Sequence, residues 1–249
     1  MTTREATSLL PRSAGADVMD DYARSLSERA AVLAFGAIQW PWLLRSLHGG
    51  KLADKHALLD RLNLPYDALP YLGSWKADTG LLKLLVDHIF EHKPRLIVEF
   101  GTGASTLVMA RAMKMAGGGT LISFDQHNDF VAATRQWLSD YELEADLRAA
   151  PLGPSPDGWP GLWYDHGQLP SGIDLMLIDG PPWTVHPLTR GAAASLFDQI
   201  SPGGTVMLDD AARPGERFVA RRWRKLRPDF EFKLDKSGTK GTLIGRKLG

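Results

Sequence analysis

The sequence contains no cysteine. This absence excludes disulfide bonds, thiolate metal ligands and cysteine nucleophiles, although it does not define the redox compartment. The 29 basic and 29 acidic side chains balance, so no overall field favours nucleic acid or an anionic membrane as a partner. We therefore expect no nucleic-acid partner, and the function must be inferred from local sites.

Long apolar runs are also lacking. The longest nearly apolar segment, residues 30–44, is interrupted by Gln39 and Pro41 and is shorter than the roughly 20 residues that span a bilayer. It predicts a packed helix or a subunit contact, with a membrane-surface or substrate-lid role as the alternative. Residues 1–20 do not have the basic segment and apolar core of a secretory signal, so we expect a cytoplasmic location.

Helical and extended patterns alternate along most of the chain. Residues 17–62 have apolar side chains at helical spacing, and a connector with two prolines follows at residues 65–73. Beyond it, helical segments alternate with short apolar runs such as LIVEF at 96–100 and LMLI at 175–178. This pattern predicts an α/β fold, a Rossmann-like, doubly wound and mostly parallel sheet with helices on both faces.

The last part of the chain has a different pattern. Two β-prone arms in residues 230–247 flank a Lys-Ser-Gly-Thr turn, which predicts an antiparallel hairpin that closes the parallel sheet. We divide the chain into an N-terminal helical extension, residues 1–74, and an α/β domain, residues 75–249. The loop at residues 151–172 is rich in proline and glycine, and loops of this length are often functional.

The segment EFGTGAS, residues 99–105, lies where a predicted strand turns into a helix. Gly101 and Gly103 allow positive φ and close backbone approach, and the next helix offers free N–H groups to a polar ligand. The fingerprint of dinucleotide-binding proteins has Gly or Ala at the position where this chain has Thr106, which weakens the case for a nicotinamide cofactor. Glu99 would repel a bare pyrophosphate and suits a ligand with an ammonium group or hydroxyls. The alternative is an ordinary strand-to-helix turn.

The chain resembles the class I S-adenosylmethionine-dependent methyltransferases, whose first motif is an acid, any residue and then Gly-x-Gly. Three further motifs follow in the order of that family: LISFD at 121–125, IDLMLIDGPP at 173–182 and SPGGTVMLDD at 201–210. Within the class, the chain is most similar to the small-molecule O-methyltransferase-like group. The resemblance covers roughly residues 75–247, so that residues 75–249 are expected to form a methyltransferase domain.

This resemblance implies S-adenosylmethionine as the cofactor and O-methylation of a small hydroxylated molecule. In the family, an acid at the position of Asp125 accepts hydrogen bonds from the ribose hydroxyls. The expected cofactor-binding residues are Glu99, Gly101, Thr102, Gly103, Ser105, Asp125, Gln126, Asp179 and Trp75. The alternative functions are a cofactor-binding or assembly protein of this fold without turnover, and a nicotinamide oxidoreductase. In the alternative interpretation of these residues, Asp125 and Ser105 cap helices, and Glu99 is a buried carboxylate that contacts no ligand.

Three acids follow the ends of two strands that are neighbours in the family's strand order. Asp179 ends one strand, and Asp209 and Asp210 end the other, so their carboxylates can converge at one rim. Catechol-type methyltransferases have a similar acid pattern, and three oxygen ligands suit Mg²⁺. The resemblance therefore implies a metal site formed by these acids. Alternatively, Asp210 caps a turn and Asp209 accepts a backbone hydrogen bond.

The catalytic base is the least defined part of the predicted site. The catechol enzymes have a lysine three residues after the first acid, where this chain has Pro182. His186 is the nearest alternative base, since an unperturbed histidine has a pKa near 6.5. We therefore predict His186 and Asp179 as catalytic residues, with a surface-loop histidine as the alternative. A small-molecule substrate and a homo-oligomer through the N-terminal helices are the expected partners.

Overall fold

The computed structural model describes residues 25–249, so the part of the predicted helices at residues 17–24 lies outside the described residues. The helices are α1 (Leu26–Ser46), α2 (Leu52–Arg61), α3 (Thr79–His92), α4 (Ala104–Ala116), α5 (Asn128–Ser139) and α6 (Pro214–Leu226), with 3-10 stretches at Pro156–Gly158 and Thr189–Gln199. The strands are β1 (Leu96–Phe100), β2 (Thr120–Asp125), β3 (Asp146–Ala149), β4 (Leu152–Pro154), β5 (Leu162–Tyr164), β6 (Ile173–Ile178), β7 (Ile200–Leu208), β8 (Phe230–Asp235) and β9 (Thr242–Lys247).

A seven-stranded sheet in the order β3-β2-β1-β6-β7-β9-β8 forms the centre of the fold. Its first five strands are parallel to one another. Strand β9 is antiparallel to β7, and β8 is antiparallel to β9. Because the strand order runs outwards from β1 in both directions, the sheet is doubly wound. The predicted α/β fold and its closing C-terminal hairpin are confirmed.

The helices before the sheet contribute to its core. Leu58 and Leu62 from the α2 region belong to the same buried apolar cluster as Leu81 and Leu85 of α3. Asp78 caps α3, since its Oδ1 accepts a hydrogen bond from the Leu81 N–H at 2.8 Å. The domain boundary at residue 74 stays a prediction, although α2 packs against the α/β core.

Helix α1 is apolar around most of its circumference. A capping box starts it, in which the Ser25 hydroxyl accepts from the Glu28 N–H and the Glu28 carboxylate accepts from the Ser25 N–H. Its large exposed apolar side chains are Leu26, Leu33, Ile38, Trp40 and Leu44. The subunit contact expected for this segment stays a prediction. Among the helices of residues 25–249, none is both long and apolar enough to cross a membrane.

The long loop at residues 151–172 has structure of its own. Strands β4 and β5 pair in antiparallel register, with Leu152 opposite Tyr164. The Phe100 ring at the end of β1 contacts the rings of Trp163 and Tyr164, with centroids 5.0 Å and 5.5 Å apart. This small hairpin, which the sequence pattern does not predict, brings Tyr164 to the carboxyl end of the central strands.

Candidate active site

A cavity opens at the carboxyl ends of β1, β2, β6 and β7. It lies where the strand order reverses, the usual ligand position in open α/β sheets. Its lining residues are Ser74, Trp75, Gly101, Thr102, Asp125, Gln126, His127, Phe130, Tyr164, Asp179, Gly180, Pro182, Arg190, Asp210 and Arg213.

The glycine loop after β1 requires glycine at position 101. Gly101 has a φ of +106°, and its N–H donates to the Phe124 carbonyl at 2.7 Å. A Cβ atom there would lie 3.0 Å from the Gly180 nitrogen and 3.1 Å from the Asp179 carbonyl carbon. The loops after β1 and β6 can therefore approach each other only because this residue has no side chain.

Asp125 lies at the end of β2 and faces the cavity. Its carboxylate accepts hydrogen bonds from the His127 N–H at 2.9 Å and the Thr102 N–H at 3.3 Å. These bonds fix the carboxylate against the glycine loop. Burial raises the pKa of Asp125 to about 7, although the two backbone donors oppose this shift. Near neutral pH the carboxylate can still accept hydrogen bonds from a ligand.

Glu99 is fully buried beneath the glycine loop. Its carboxylate accepts hydrogen bonds from the hydroxyls of Ser105 at 2.5 Å, Thr106 at 2.6 Å and Ser123 at 2.6 Å. It therefore connects β1, β2 and the first turn of α4. Burial raises the pKa of Glu99 to about 7, even though the three hydroxyls favour the charged form.

The structure brings most, but not all, of the predicted cofactor residues to the cavity wall. Those that line it are Trp75, Gly101, Thr102, Asp125, Gln126 and Asp179. Glu99, Gly103 and Ser105 are not among the lining residues. Gly103 is the N-cap residue of α4, and its N–H donates to the Thr106 hydroxyl at 2.8 Å. These three residues shape the loop that borders the cavity.

The three acids of the predicted metal site do converge. Oxygen atoms of Asp179, Asp209 and Asp210 lie within 4.8 Å of one another. Burial and the neighbouring Asp209 raise the pKa of Asp179 well above its usual value. Burial alone would also raise the pKa of Asp210, but Arg213, Lys240 and Arg190 outweigh it and lower this pKa to about 2.

Basic side chains already neutralise this acid cluster. Arg190 pairs with Asp210 at 3.0 Å and with Asp179 at 3.4 Å. Arg213 pairs with Asp210 at 2.9 Å, and Lys240 pairs with Asp209 at 3.2 Å. Mg²⁺ favours carboxylates that are free to bind it and keeps several waters. The donor atoms suit Mg²⁺, but the paired and buried arrangement does not.

The two predicted catalytic residues have different positions. Asp179 lines the cavity, whereas His186 is not among its lining residues. His186 is buried, and its Nδ1 accepts a hydrogen bond from the Leu188 N–H at 3.1 Å. The catalytic role of His186 stays a prediction without support from this geometry.

Tyr164 is a cavity residue that sequence reasoning missed. It is 3% exposed, and its hydroxyl has no hydrogen-bond partner among residues 25–249. A Cβ atom on Gly180 would lie 2.0 Å from this hydroxyl. Burial raises the pKa of Tyr164 well above its usual value, so the hydroxyl remains a donor at neutral pH. Its position in a proline-rich and glycine-rich loop was the one available signal.

Comparisons with known proteins agree with this geometry. Residues 98–211 match the model of a family described as a methyltransferase domain. A Geobacter sulfurreducens methyltransferase structure has 19% identity and a TM-score of 0.53, with 79% of this chain and 87% of the other covered. No curated protein sequence matches the chain significantly.

Two further solved structures contain S-adenosylhomocysteine (SAH). The SAH-bound methyltransferase of Podospora anserina has 12% identity, a TM-score of 0.54, and coverage of 92% of this chain and 97% of the other. The Bacillus cereus O-methyltransferase in complex with SAH has 16% identity, a TM-score of 0.54, and coverage of 87% and 99%.

The chain is therefore similar to a methyltransferase domain over residues 98–211, the part that carries the four ordered motifs. Its fold is also that of solved O-methyltransferases, the group that the motifs indicate.

Proposed function

We propose that the protein transfers the methyl group of S-adenosylmethionine to a hydroxyl oxygen of a small molecule. The observation that carries this proposal is the meeting of the glycine loop, Asp125 and Asp179 around one cavity at the reversal of the strand order. Two proteins of the same fold bind S-adenosylhomocysteine, the product of such a transfer.

In this proposal Asp125 accepts hydrogen bonds from the ribose hydroxyls of the cofactor. Its carboxylate is fixed by two backbone donors and lines the cavity, which leaves its remaining lone pairs for a ligand. Gly101 and Thr102 provide the close backbone approach, and Gln126 and Trp75 form the adjacent walls. Glu99 acts indirectly, through the hydroxyls that it holds at the start of α4.

The chemistry is a displacement at the sulfonium methyl group. The acceptor oxygen forms a bond to the methyl carbon, the carbon–sulfur bond breaks, and its electron pair stays on sulfur. The acceptor hydroxyl loses its proton, and Asp179, one of the three aspartates that line the cavity, is the proposed proton acceptor. Most of the rate enhancement then comes from holding the two reactants in line. No step requires the implied Mg²⁺.

Calorimetry with S-adenosylhomocysteine and NADH tests the cofactor assignment. We expect binding of the former and none of the latter. Incubation with S-adenosylmethionine and a panel of phenols, catechols and aliphatic alcohols, followed by mass spectrometry, tests turnover. Methyl ether products support the proposal. Cofactor binding with no methylated product across the panel would instead favour a binding protein of the same fold, and NADH binding would favour an oxidoreductase.

A further inference from the structure

The acid cluster at the ends of β6 and β7 contains as many basic side chains as acids. Asp179, Asp209 and Asp210 face Arg190, Arg213 and Lys240, as described above. Three carboxylates alone would leave three negative charges in a buried region, at a large desolvation cost. The three basic groups balance these charges from within the chain.

Lys240 is the most deeply placed of these basic groups. Its Nζ lies 3.2 Å from Asp209 Oδ2 and 3.5 Å from Asp210 Oδ1. The side chains of Lys240 and Asp209 are 1% and 0% exposed. Asp209 does not line the cavity, so an ion entering from the cavity would have to displace Lys240 to reach it.

The backbone of Lys240 is held on both sides. Its N–H donates to Asp78 Oδ2 at 3.1 Å, and its carbonyl accepts from the Ala212 N–H at 3.0 Å. The preceding Thr239 donates to the same Asp78 oxygen through its N–H at 2.5 Å and its hydroxyl at 2.8 Å. The turn between β8 and β9 is thus fixed in a position that directs the lysine into the acid cluster.

We propose that Lys240, together with Arg190 and Arg213, takes the place of a divalent cation in this cluster, so that the protein binds no metal there. Lys240 is a positioning residue that holds Asp209 and Asp210 without touching substrate or cofactor. The charge balance and the pairing distances support this proposal independently of whether the protein has methyltransferase activity.

The unmodified protein provides the first test. We expect no binding of Mn²⁺, an EPR-visible substitute for Mg²⁺, at millimolar concentrations, and the same affinity for S-adenosylhomocysteine with and without EDTA. Mn²⁺ binding that disappears in Asp209→Asn would overturn the proposal. These measurements need no turnover, so they are distinguishable from a failure of the proposed function.

The second test removes the lysine charge. Lys240→Gln leaves the acid cluster with excess negative charge, so we expect a gain in Mn²⁺ affinity of at least about tenfold. We also expect Mn²⁺ to raise the melting temperature of this variant and not that of the parent. Lys236→Gln, at an exposed position in the same turn, is the matched control and should gain nothing.

The double variant Lys240→Gln with Asp209→Asn identifies the site. We expect the Mn²⁺ affinity gained in the single variant to disappear, because one of the released carboxylates is gone. A folded Lys240→Gln variant that gains no Mn²⁺ affinity would refute the claim that the lysine takes the place of a cation. If that variant does not fold, the Mn²⁺ and EDTA measurements on the parent decide the question.

Discussion

Glu99 is a buried carboxyl group whose ionisation should make the free energy of unfolding depend on pH, and Glu99→Gln removes that ionisation. Burial raises the pKa of Glu99 from 4.5 to about 7, although Ser105, Ser123 and Thr106 donate to it. Because the folded pKa is higher than the unfolded one, the folded protein keeps a proton that the unfolded chain releases. The free energy of unfolding therefore falls as the pH rises from about 4.5 to about 7, by about 3 kcal/mol for this group.

Urea unfolding of the parent and of Glu99→Gln at about pH 5 and about pH 8 measures this effect. We expect the parent to lose about 2.5 kcal/mol more than the variant over this range. Asp125 and Glu216, whose pKa values burial also raises to about 7, titrate in both proteins. Glu231→Gln, at an exposed position on β8, is the control.

The absolute stability of Glu99→Gln is a separate matter. A glutamine amide cannot accept hydrogen bonds from all three hydroxyls, so the variant should be less stable than the parent at about pH 5. The reasoning rests on the difference between the two pH dependences. If the parent and the variant lose the same free energy between the two pH values, Glu99 does not change its protonation state in the way that we infer.

Three further substitutions test the cavity. Asp125→Asn should weaken S-adenosylhomocysteine binding by about 1.5 to 3 kcal/mol in calorimetry, because it removes a charged acceptor, and unchanged affinity would contradict its assignment to the ribose. Gly101→Ala should lower both the melting temperature and the affinity for S-adenosylhomocysteine. The control Gly153→Ala, whose new Cβ atom meets no atom within 4 Å, should change neither. If both variants had the same effect, the close approach of the loops after β1 and β6 would not require glycine at position 101. Tyr164→Phe should raise the free energy of unfolding by about 1 kcal/mol, because it removes a buried unpaired hydroxyl. The same variant should transfer the methyl group more slowly. An unchanged rate would show that the hydroxyl does not contact the ligands.

Much of the sheet is predictable because its strands are buried on both faces. A strand covered by helices on both sides must be apolar throughout, as LIVEF and LMLI are. Helix α3 also has a clear signal, because its apolar spacing runs between the N-cap Asp78 and the left-handed C-cap Lys93. The hairpin of β4 and β5 has no such signal, because strands of three residues are too short to show a period and β4 also contains a proline.

The candidate site likewise has one part that the sequence predicts and one part that it does not. The glycine loop, Asp125 and the three clustered acids are local features at strand ends, so a linear pattern places them correctly. The pairing of Lys240 with these acids depends on a contact between Asp78 and Lys240, which lie 162 positions apart. Such a contact exists only after the hairpin has joined the sheet. Charge balance within the acid cluster could therefore be known only from the tertiary structure.

The strand order also determines how long an edge of the sheet stays unpaired while this protein is synthesised. Among the described strands β9 is made last, yet it lies between β7 and β8. Until Thr242–Lys247 leave the ribosome, one edge of β7 has no partner among these strands, and β8 has no place in the sheet. An open strand edge can pair with another chain. Chains that end within β8 should therefore associate with one another, whereas chains that include β9 can close this edge of β7.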